Sequence, residues 1–249
     1  MTSLRDKTAI VVGGSQNTGR AISLALLRAG ARVLVAARSQ EHLDTLCTEA
    51  PGINVMMIDA ATPDAPVAVF SHLVPDILIL SIGVTRPGKP FFELDWEEFS
   101  GTWDNDVRAS FNFCREAIRR PLPPSSVVIQ ISSGAGIGGS PISGGYAGAK
   151  RMQMFLANYA QKESDRLDLR QRFLTVIPMR PMIDTEDGRA AVTNYSRYLG
   201  VTERDFVAGM SGAQTSQDVA NAVVRLAGDP PAGGANNFIV SATGVEPMN

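Results

Sequence analysis

Residues 8–20 read TAIVVGGSQNTGR, an apolar run that leads into a glycine-rich turn, and a helical pattern follows directly over residues 20–29. Glycines let the chain turn sharply and let a pyrophosphate approach the backbone closely. The helix N-terminus that follows supplies free N–H groups and the positive end of its dipole. A glycine pattern alone is a weak signal, but this strand–turn–helix context predicts a dinucleotide-binding turn. The structural alternative is a plain tight turn between a strand and a helix.

Apolar runs and helical patterns alternate along the rest of the chain. The predicted strands are residues 8–12, 32–37, 53–58, 76–82, 127–131, 173–177 and 237–240. The predicted helices are residues 20–29, 40–49, 64–74, about 96–119, about 144–164 and 217–227. The strand runs are rich in Val and Ile without polar alternation, which is typical of strands covered on both faces. This pattern predicts an α/β Rossmann fold, a single doubly wound parallel sheet of about seven strands with helices on both faces, in one domain over residues 1–249.

The composition excludes several classes of protein. Of the 249 residues, 44% are hydrophobic and 19% are charged, a balance that excludes a disordered chain. The formal net charge of −2 argues against nucleic-acid binding. No apolar run approaches the roughly 20 residues that cross a bilayer, and the N-terminus lacks a signal-peptide layout, so we expect no membrane association. Cys47 and Cys114 lack metal-ligand spacing, which predicts reduced thiols, no metal site and a cytoplasmic location.

A second motif bears on chemistry. The run Tyr146-Ala-Gly-Ala-Lys150 places a tyrosine and a lysine on one helix face, and Ser133 lies thirteen residues before the tyrosine at the end of a predicted strand. A doubly wound sheet places its active site at this end of its strands. A lysine ammonium favours the phenolate of a nearby tyrosine and so lowers the tyrosine pKa from its usual value of about 10. The structural alternative makes Ser133 a strand cap, Tyr146 a buried aromatic and Lys150 a solvated side chain.

The two motifs together resemble the short-chain dehydrogenase/reductase family, and the resemblance covers essentially the full chain. The family's cofactor turn reads Thr-Gly-x-x-x-Gly-x-Gly, and Gly13 and Gly19 match its first and last glycines. Val12 stands where the family has Thr, and Asn17 stands where it has the middle glycine. Asparagine tolerates a positive φ better than most residues, so we expect the turn to form.

The resemblance implies an oxidoreductase that reduces a carbonyl to an alcohol, or the reverse, by hydride transfer. In this interpretation Tyr146 is the general acid or base, Lys150 lowers its pKa and holds the nicotinamide ribose, and Ser133 binds the carbonyl oxygen. Asp106 aligns with the family's catalytic asparagine, which holds a water that links the lysine to solvent. We expect the Asp106 carboxylate to accept similar hydrogen bonds and to pair with Lys150. The alternative for Asp106 is a solvated position on a helix face.

The end of the second predicted strand bears on the choice of cofactor. NAD sites place an acidic residue here on the ribose 2′-hydroxyl, whereas NADP sites omit it and supply an arginine. Ala37 stands in the acidic position and Arg38 follows it, so the sequence favours NADP(H) over NAD(H). Two alternatives stay open. One is an NAD-dependent alcohol dehydrogenase of the same family, and the other is a dinucleotide-binding protein with weak or no catalysis.

The resemblance assigns a full set of cofactor-binding residues. They are Gly13, Ser15, Gln16, Asn17, Thr18, Gly19, Arg38, Asp59, Ala60, Ser81, Gly83, Tyr146, Lys150, Pro178, Ile183 and Thr185. Two segments depart from the family pattern. The family's Asn-Asn-Ala-Gly is replaced by LSIG at residues 80–83, and about two additional residues lie between Pro178 and Thr185. A helix cap is the alternative role of Thr185.

The resemblance also outlines the substrate side and the assembly. The loop at residues 134–145 and a lid at about 179–212 correspond to the pocket for a small-molecule carbonyl or alcohol. Residues 186–214 are polar and mixed in pattern, which predicts an irregular segment. Aromatic and Met side chains there form either an apolar inner face or ordinary packing; they are Tyr195, Tyr198, Phe206 and Met210. Family members are commonly tetramers or dimers built through two long helices, so we expect a homo-oligomer, a homotetramer or a dimer.

Overall fold

All the strands belong to one sheet in the computed structural model, which describes residues 2–84, 87–210, 214–231 and 234–248. The strands are β1 (Thr8–Val12), β2 (Arg32–Ala37), β3 (Asn54–Met57), β4 (Ile77–Leu80), β5 (Val127–Ile131), β6 (Arg172–Pro178), β7 (Asn237–Ser241) and β8 (Gly244–Pro247). Their order across the sheet is β3-β2-β1-β4-β5-β6-β7-β8. Strands β1 to β7 pair in parallel, which confirms the doubly wound α/β fold. The order reverses direction between β1 and β4, the switch point at which such sheets bind ligands.

The helices connect the strands and cover both faces of the sheet. They are α1 (Asn17–Arg28), α2 (Gln40–Glu49), α3 (Ala65–His72), α4 (Trp96–Thr102), α5 (Arg108–Arg119), α6 (Ala135–Gly138), α7 (Gly145–Arg166), α8 (Glu186–Leu199), α9 (Glu203–Gly209) and α10 (Ser216–Gly228). No helix in the described ranges is both long and apolar enough to cross a membrane.

Successive residues of the central strands contribute to two separate cores. Val11 of β1 packs into a core with α1, α2 and α10, whereas its neighbour Ile10 packs into a core with α3, α5 and α7. Side chains of a strand point alternately to opposite faces, so an unbroken apolar run buries both faces. Phe113 of α5 is fully buried in the second core and meets Phe70 of α3 edge to face, with ring centroids 5.8 Å apart.

The sheet has one strand more than the sequence predicts. β8 follows β7 through a tight turn and pairs with it antiparallel at the edge of the sheet. Gly244 opens β8 with φ +136°, a conformation that few residues other than glycine adopt. The strand contains only four residues, and their burial pattern is largely exposed, so it carries no apolar run that would have revealed it.

The prediction of an irregular segment at residues 186–214 is wrong, because two helices occupy most of it. Thr185 caps α8 by accepting a hydrogen bond from the Gly188 N–H at 3.0 Å, and Thr202 caps α9 in the same way from the Asp205 N–H at 3.1 Å. Gly200 ends α8 in the left-handed region with φ +68°. These local stop and start signals divide the segment into two short helices; residues 211–213 lie outside the described part.

The predicted helix over residues 96–119 contains an interruption. One π-helical turn, Trp103–Val107, joins α4 to α5 and inserts an additional residue into the helical ladder. Such turns occur often at functional sites, because they rotate one side chain relative to the regular helix. Here the turn contains Asn105 and Asp106, both of which lie at the candidate site.

Candidate active site

The turn between β1 and α1 depends on two glycines. Gly13 has φ +77°, and a Cβ there would lie 2.3 Å from the Ser81 carbonyl oxygen. A Cβ at Gly19 would lie 2.1 Å from the Gly13 carbonyl oxygen. Asn17, in place of the family's middle glycine, has φ +49°, so asparagine supplies the positive φ expected of it. The tight turn therefore needs glycine at both positions, and α1 begins beside it. A helix N-terminus at such a turn offers free N–H groups to an anion.

A cavity of about 980 Å³ opens at the carboxyl ends of the parallel strands, beside this turn. Every residue that the sequence assigns to the cofactor lines this cavity except Ile183. The structure places Ile183 instead in a shallow depression between α8 and α9, with Val192 and Val207. Its neighbour Met182 occupies the inward position, with its sulfur 3.3 Å from the Thr18 hydroxyl.

Lys150 is a cation almost removed from water, with 4% of its surface exposed. Its Nζ donates to the Ile82 carbonyl at 2.7 Å and to the Ile131 carbonyl at 3.4 Å. It also lies 3.5 Å from the Asp106 carboxylate and 5.5 Å from the centre of the Tyr146 ring. The ends of β4 and β5 thus hold the ammonium beside the tyrosine, as the predicted chemistry requires.

Asp106 lies behind Lys150, fully buried within the π-helical turn. Burial raises the pKa of the Asp106 carboxyl, because it disfavours the charged form, and the neighbouring Lys150 lowers it by a smaller amount. The alternative of a solvated Asp106 on a helix face is wrong. Within the described ranges, no group of three or more His, Cys, Asp or Glu side chains is placed to hold a metal ion.

Ser133 follows β5 at the mouth of the cavity. Its Oγ accepts a hydrogen bond from the Ala135 N–H at 3.2 Å, which uses a lone pair and not the hydroxyl hydrogen. The preceding Ser132 donates to the Lys150 carbonyl at 2.8 Å and so ties the end of β5 to α7. Ser133, Tyr146 and Lys150 therefore line one part of the cavity, held by a strand end and the helix beside it.

Arg38 follows β2 and lines the part of the cavity that the first turn borders. Ala37, before it, is buried, so this position carries no carboxylate. The Arg38 guanidinium lies 3.5 Å from the Asn105 side-chain oxygen, and the Asn105 amide donates to the Gly101 carbonyl at 2.9 Å. Sequence reasoning missed Asn105, because only the π-helical turn directs it across the cavity toward Arg38.

Helices α8 and α9 line another part of the cavity. Tyr195 of α8 hydrogen-bonds the Ser140 hydroxyl at 2.7 Å, and Ser140 in turn hydrogen-bonds Ser143 at 2.9 Å. The Tyr195 ring stacks on Phe206 of α9, with centroids 5.7 Å apart. Of the four residues considered for an inner face, Tyr195, Phe206 and Met210 line the cavity. Tyr198 does not line it and is 44% exposed.

A protein-family model described as short chain dehydrogenase matches residues 7–181. The chain belongs to the short chain dehydrogenase family. The match includes the glycine turn, Asp106 and the Ser133, Tyr146 and Lys150 group, and it ends before α8. The chain therefore carries α8 and α9 outside the part that the family model describes.

Several curated relatives of the chain are named as reductases. The D-erythrulose reductase of Gallus gallus is 31% identical over 53% of this chain and 55% of its own length. The NADPH-dependent pterin aldehyde reductase of Arabidopsis thaliana is 29% identical over 58% of this chain and 63% of its own. The L-xylulose reductase of Mesocricetus auratus is 30% identical over 53% of this chain and 55% of its own. The chain thus spans just over half to just under two thirds of the lengths of these relatives.

Relative to the unchanged protein, Asp106→Asn should gain stability as the pH rises. The native carboxyl has a raised pKa, whereas an aspartate in the unfolded chain titrates near about 3.9. Between these two pKa values the native chain holds more protons than the unfolded chain, so stability falls as pH rises through that window. Asparagine carries no such proton. Urea unfolding of both proteins between about pH 4 and pH 8 measures the difference, with the exposed Asp104→Asn as control. A difference in the free energy of unfolding that stays constant with pH would contradict the raised pKa of Asp106.

Proposed function

We propose that the chain is an NADP(H)-dependent oxidoreductase that reduces a carbonyl to an alcohol, or catalyses the reverse, by hydride transfer. The observation that carries the proposal is the placement of Lys150 beside Tyr146, in a cavity that the glycine turn also borders. A buried ammonium at 5.5 Å from a tyrosine ring is an arrangement suited to moving a proton through the phenol.

The residues present fit a nicotinamide dinucleotide. Gly13 and Gly19 permit the tight turn, since a Cβ at either position would collide with a carbonyl oxygen of the chain itself. Helix α1 begins at this turn, and its first N–H groups are available to a pyrophosphate. When bound, the dinucleotide supplies or accepts the hydride. The chain would hold it through the turn, Asp59 and Ala60, the segment around Ser81 and Gly83, and the segment from Pro178 to Thr185.

Tyr146 would supply the proton in reduction. Its hydroxyl donates to the carbonyl oxygen as negative charge develops there, and the Lys150 ammonium stabilises the phenolate that remains. Ser133 donates its hydroxyl hydrogen to the same oxygen, a role typically worth roughly 10²–10³ in rate. The Asp106 carboxyl group lies 3.5 Å from the Lys150 ammonium and, when ionised, compensates its charge.

Tyr146→Phe should lower kcat/KM for carbonyl reduction by at least ~10²-fold, because it removes the proton donor and keeps the ring. Binding of NADPH, followed by fluorescence titration, should persist. Tyr198→Phe is the matched control, since that tyrosine is exposed and lies outside the cavity. Undiminished turnover by Tyr146→Phe would contradict the mechanism. Cofactor binding without turnover of any carbonyl by the unchanged chain would favour the alternative of a binding protein.

The preference for NADP(H) rests on Ala37 and Arg38. The 2′-phosphate of NADP carries charge that an arginine can bind through paired N–H groups. Arg38 is exposed at the cavity edge, and Ala37 offers no carboxylate for a 2′-hydroxyl. The NADPH dependence stated for the pterin aldehyde reductase supports the proposal. The alternative is an NAD-dependent alcohol dehydrogenase of the same family.

Arg38→Ala should lower kcat/KM for NADPH by ~10- to 100-fold and leave that for NADH nearly unchanged, because only NADPH loses a charge-assisted contact. Arg32→Ala is the control, since Arg32 begins β2 and Arg38 follows the other end of that strand. Steady-state kinetics with both cofactors give the comparison. A strong preference of the unchanged chain for NADH would contradict the proposed preference for NADP(H).

The substrate class proposed is a small carbonyl compound. Three relatives are named as reductases of erythrulose, xylulose and a pterin aldehyde, each of which contains a carbonyl group. Each likeness covers only 53% to 58% of this chain, so it supports the reaction type more than the substrate. The one-domain interpretation of residues 1–249 is supported by the single eight-stranded sheet of the described residues. The lid proposed for residues 179–212 is supported by Tyr195 and Phe206, which line the cavity from α8 and α9. A cytoplasmic location is proposed on the free thiols of Cys47 and Cys114.

A homo-oligomer, a tetramer or a dimer, is proposed on an apolar face of α5 and α7. Phe111, Phe155 and Tyr159 are 45%, 40% and 53% exposed, and the last two stack on each other. Exposed aromatic side chains in such clusters are typical of protein interfaces. Sedimentation should give a multiple of the 26.6 kDa chain mass, and Phe155→Glu should lower it. Val74→Glu, exposed elsewhere, is the control; a mass of one chain for the unchanged protein would contradict the proposal.

A further inference from the structure

Asn17 makes two contacts with the first turn of α8. Its side-chain oxygen accepts a hydrogen bond from the Glu186 N–H at 3.0 Å, and its side-chain nitrogen donates to the Asp187 carboxylate at 3.0 Å. The Glu186 N–H can only donate and the Asp187 carboxylate can only accept, so these two groups determine the orientation of the Asn17 side-chain amide. Asn17, which replaces the family's middle glycine, therefore links the turn between β1 and α1 to a helix that begins 169 residues further along the chain.

The C-terminal half of α8 contacts the loop that follows Ser133, through Tyr195. Tyr195 lies more than two helical turns after Glu186 and bonds the Ser140 hydroxyl at 2.7 Å. The helix thus spans the cavity, with one end on the dinucleotide turn and the other on the loop beside Tyr146. Any displacement of its first turn would move Tyr195, because a hydrogen-bonded helix of 14 residues moves largely as a unit.

We propose that Asn17 is a positioning residue that ties α8 to the dinucleotide turn and thereby sets where Tyr195 closes the substrate end of the cavity. A glycine at this position would supply the positive φ at lower cost, yet it could make neither contact. Asparagine supplies both the φ of +49° and an amide that matches one donor and one acceptor on α8. The consequence for substrate binding rests on the proposed function, whereas the position of α8 is a property of the unliganded chain.

Hydrogen exchange of the unliganded, full-length protein, followed by mass spectrometry, tests the link. In Asn17→Gly, the amides of α8 should exchange about three- to ten-fold faster, because two hydrogen bonds of modest net worth are lost. The backbone of the turn should tolerate glycine, so α1 and α10 serve as internal references. Asn17→Asp should have a similar effect, since it places a second carboxylate beside Asp187.

The double variant Asn17→Asp/Asp187→Asn provides the matched control. It exchanges the amide and the carboxylate between the two positions, so Asp at 17 accepts from both the Glu186 N–H and the new amide. Exchange in α8 should return to within about two-fold of the unchanged protein, which a loss of folding alone would not do.

Three results would overturn the proposal. The first is unchanged exchange of α8 in Asn17→Gly, and the second is a double variant that exchanges as fast as Asn17→Asp. The third is faster exchange confined to the first turn of α8 or shared equally by α1, since neither would show a link through the helix to Tyr195. None of these readouts requires turnover, so a failure of the proposed reductase activity would be seen separately, in the Tyr146→Phe comparison.

Discussion

The buried ammonium of Lys150 is the constraint on which the arrangement of the site depends. A lysine with 4% exposure needs partners, since an uncompensated charge at that depth is strongly unfavourable. The partners come from the ends of two adjacent strands and from Asp106 on the π-helical turn. The parallel pairing of β4 with β5 and the irregular turn between α4 and α5 are therefore parts of one arrangement that holds a cation beside Tyr146.

The same edge of the sheet brings the two motifs of the sequence together. The glycine turn follows β1, and the Ser133 segment follows β5, with β4 between them. Helix α8 then joins the two sides, with Asn17 at one end and Ser140 at the other. This helix lies beyond the region that the family model matches.

The fold was accessible from sequence where the signals were local and strong. Apolar runs buried on both faces predicted the seven parallel strands, and the glycine spacing predicted a turn in which Gly13 and Gly19 have no room for a side chain. The short edge strand β8 had no apolar run to reveal it. The polar, mixed pattern of residues 186–214 concealed two helices, although a helix cap was one of the two roles considered for Thr185. The structure shows that cap and a second one at Thr202.

By itself, the sequence determined the α/β fold, the strand–turn–helix start and the spacing of Tyr146 and Lys150 on one helix face, because each depends on neighbouring residues or on simple periodicity. Only the tertiary structure decided that Met182 and not Ile183 faces the cavity, that Asn105 reaches Arg38, and that Asn17 holds α8. These contacts join segments that lie far apart in the chain. Their partners are chosen by how the strands and helices pack, and no local pattern records that choice.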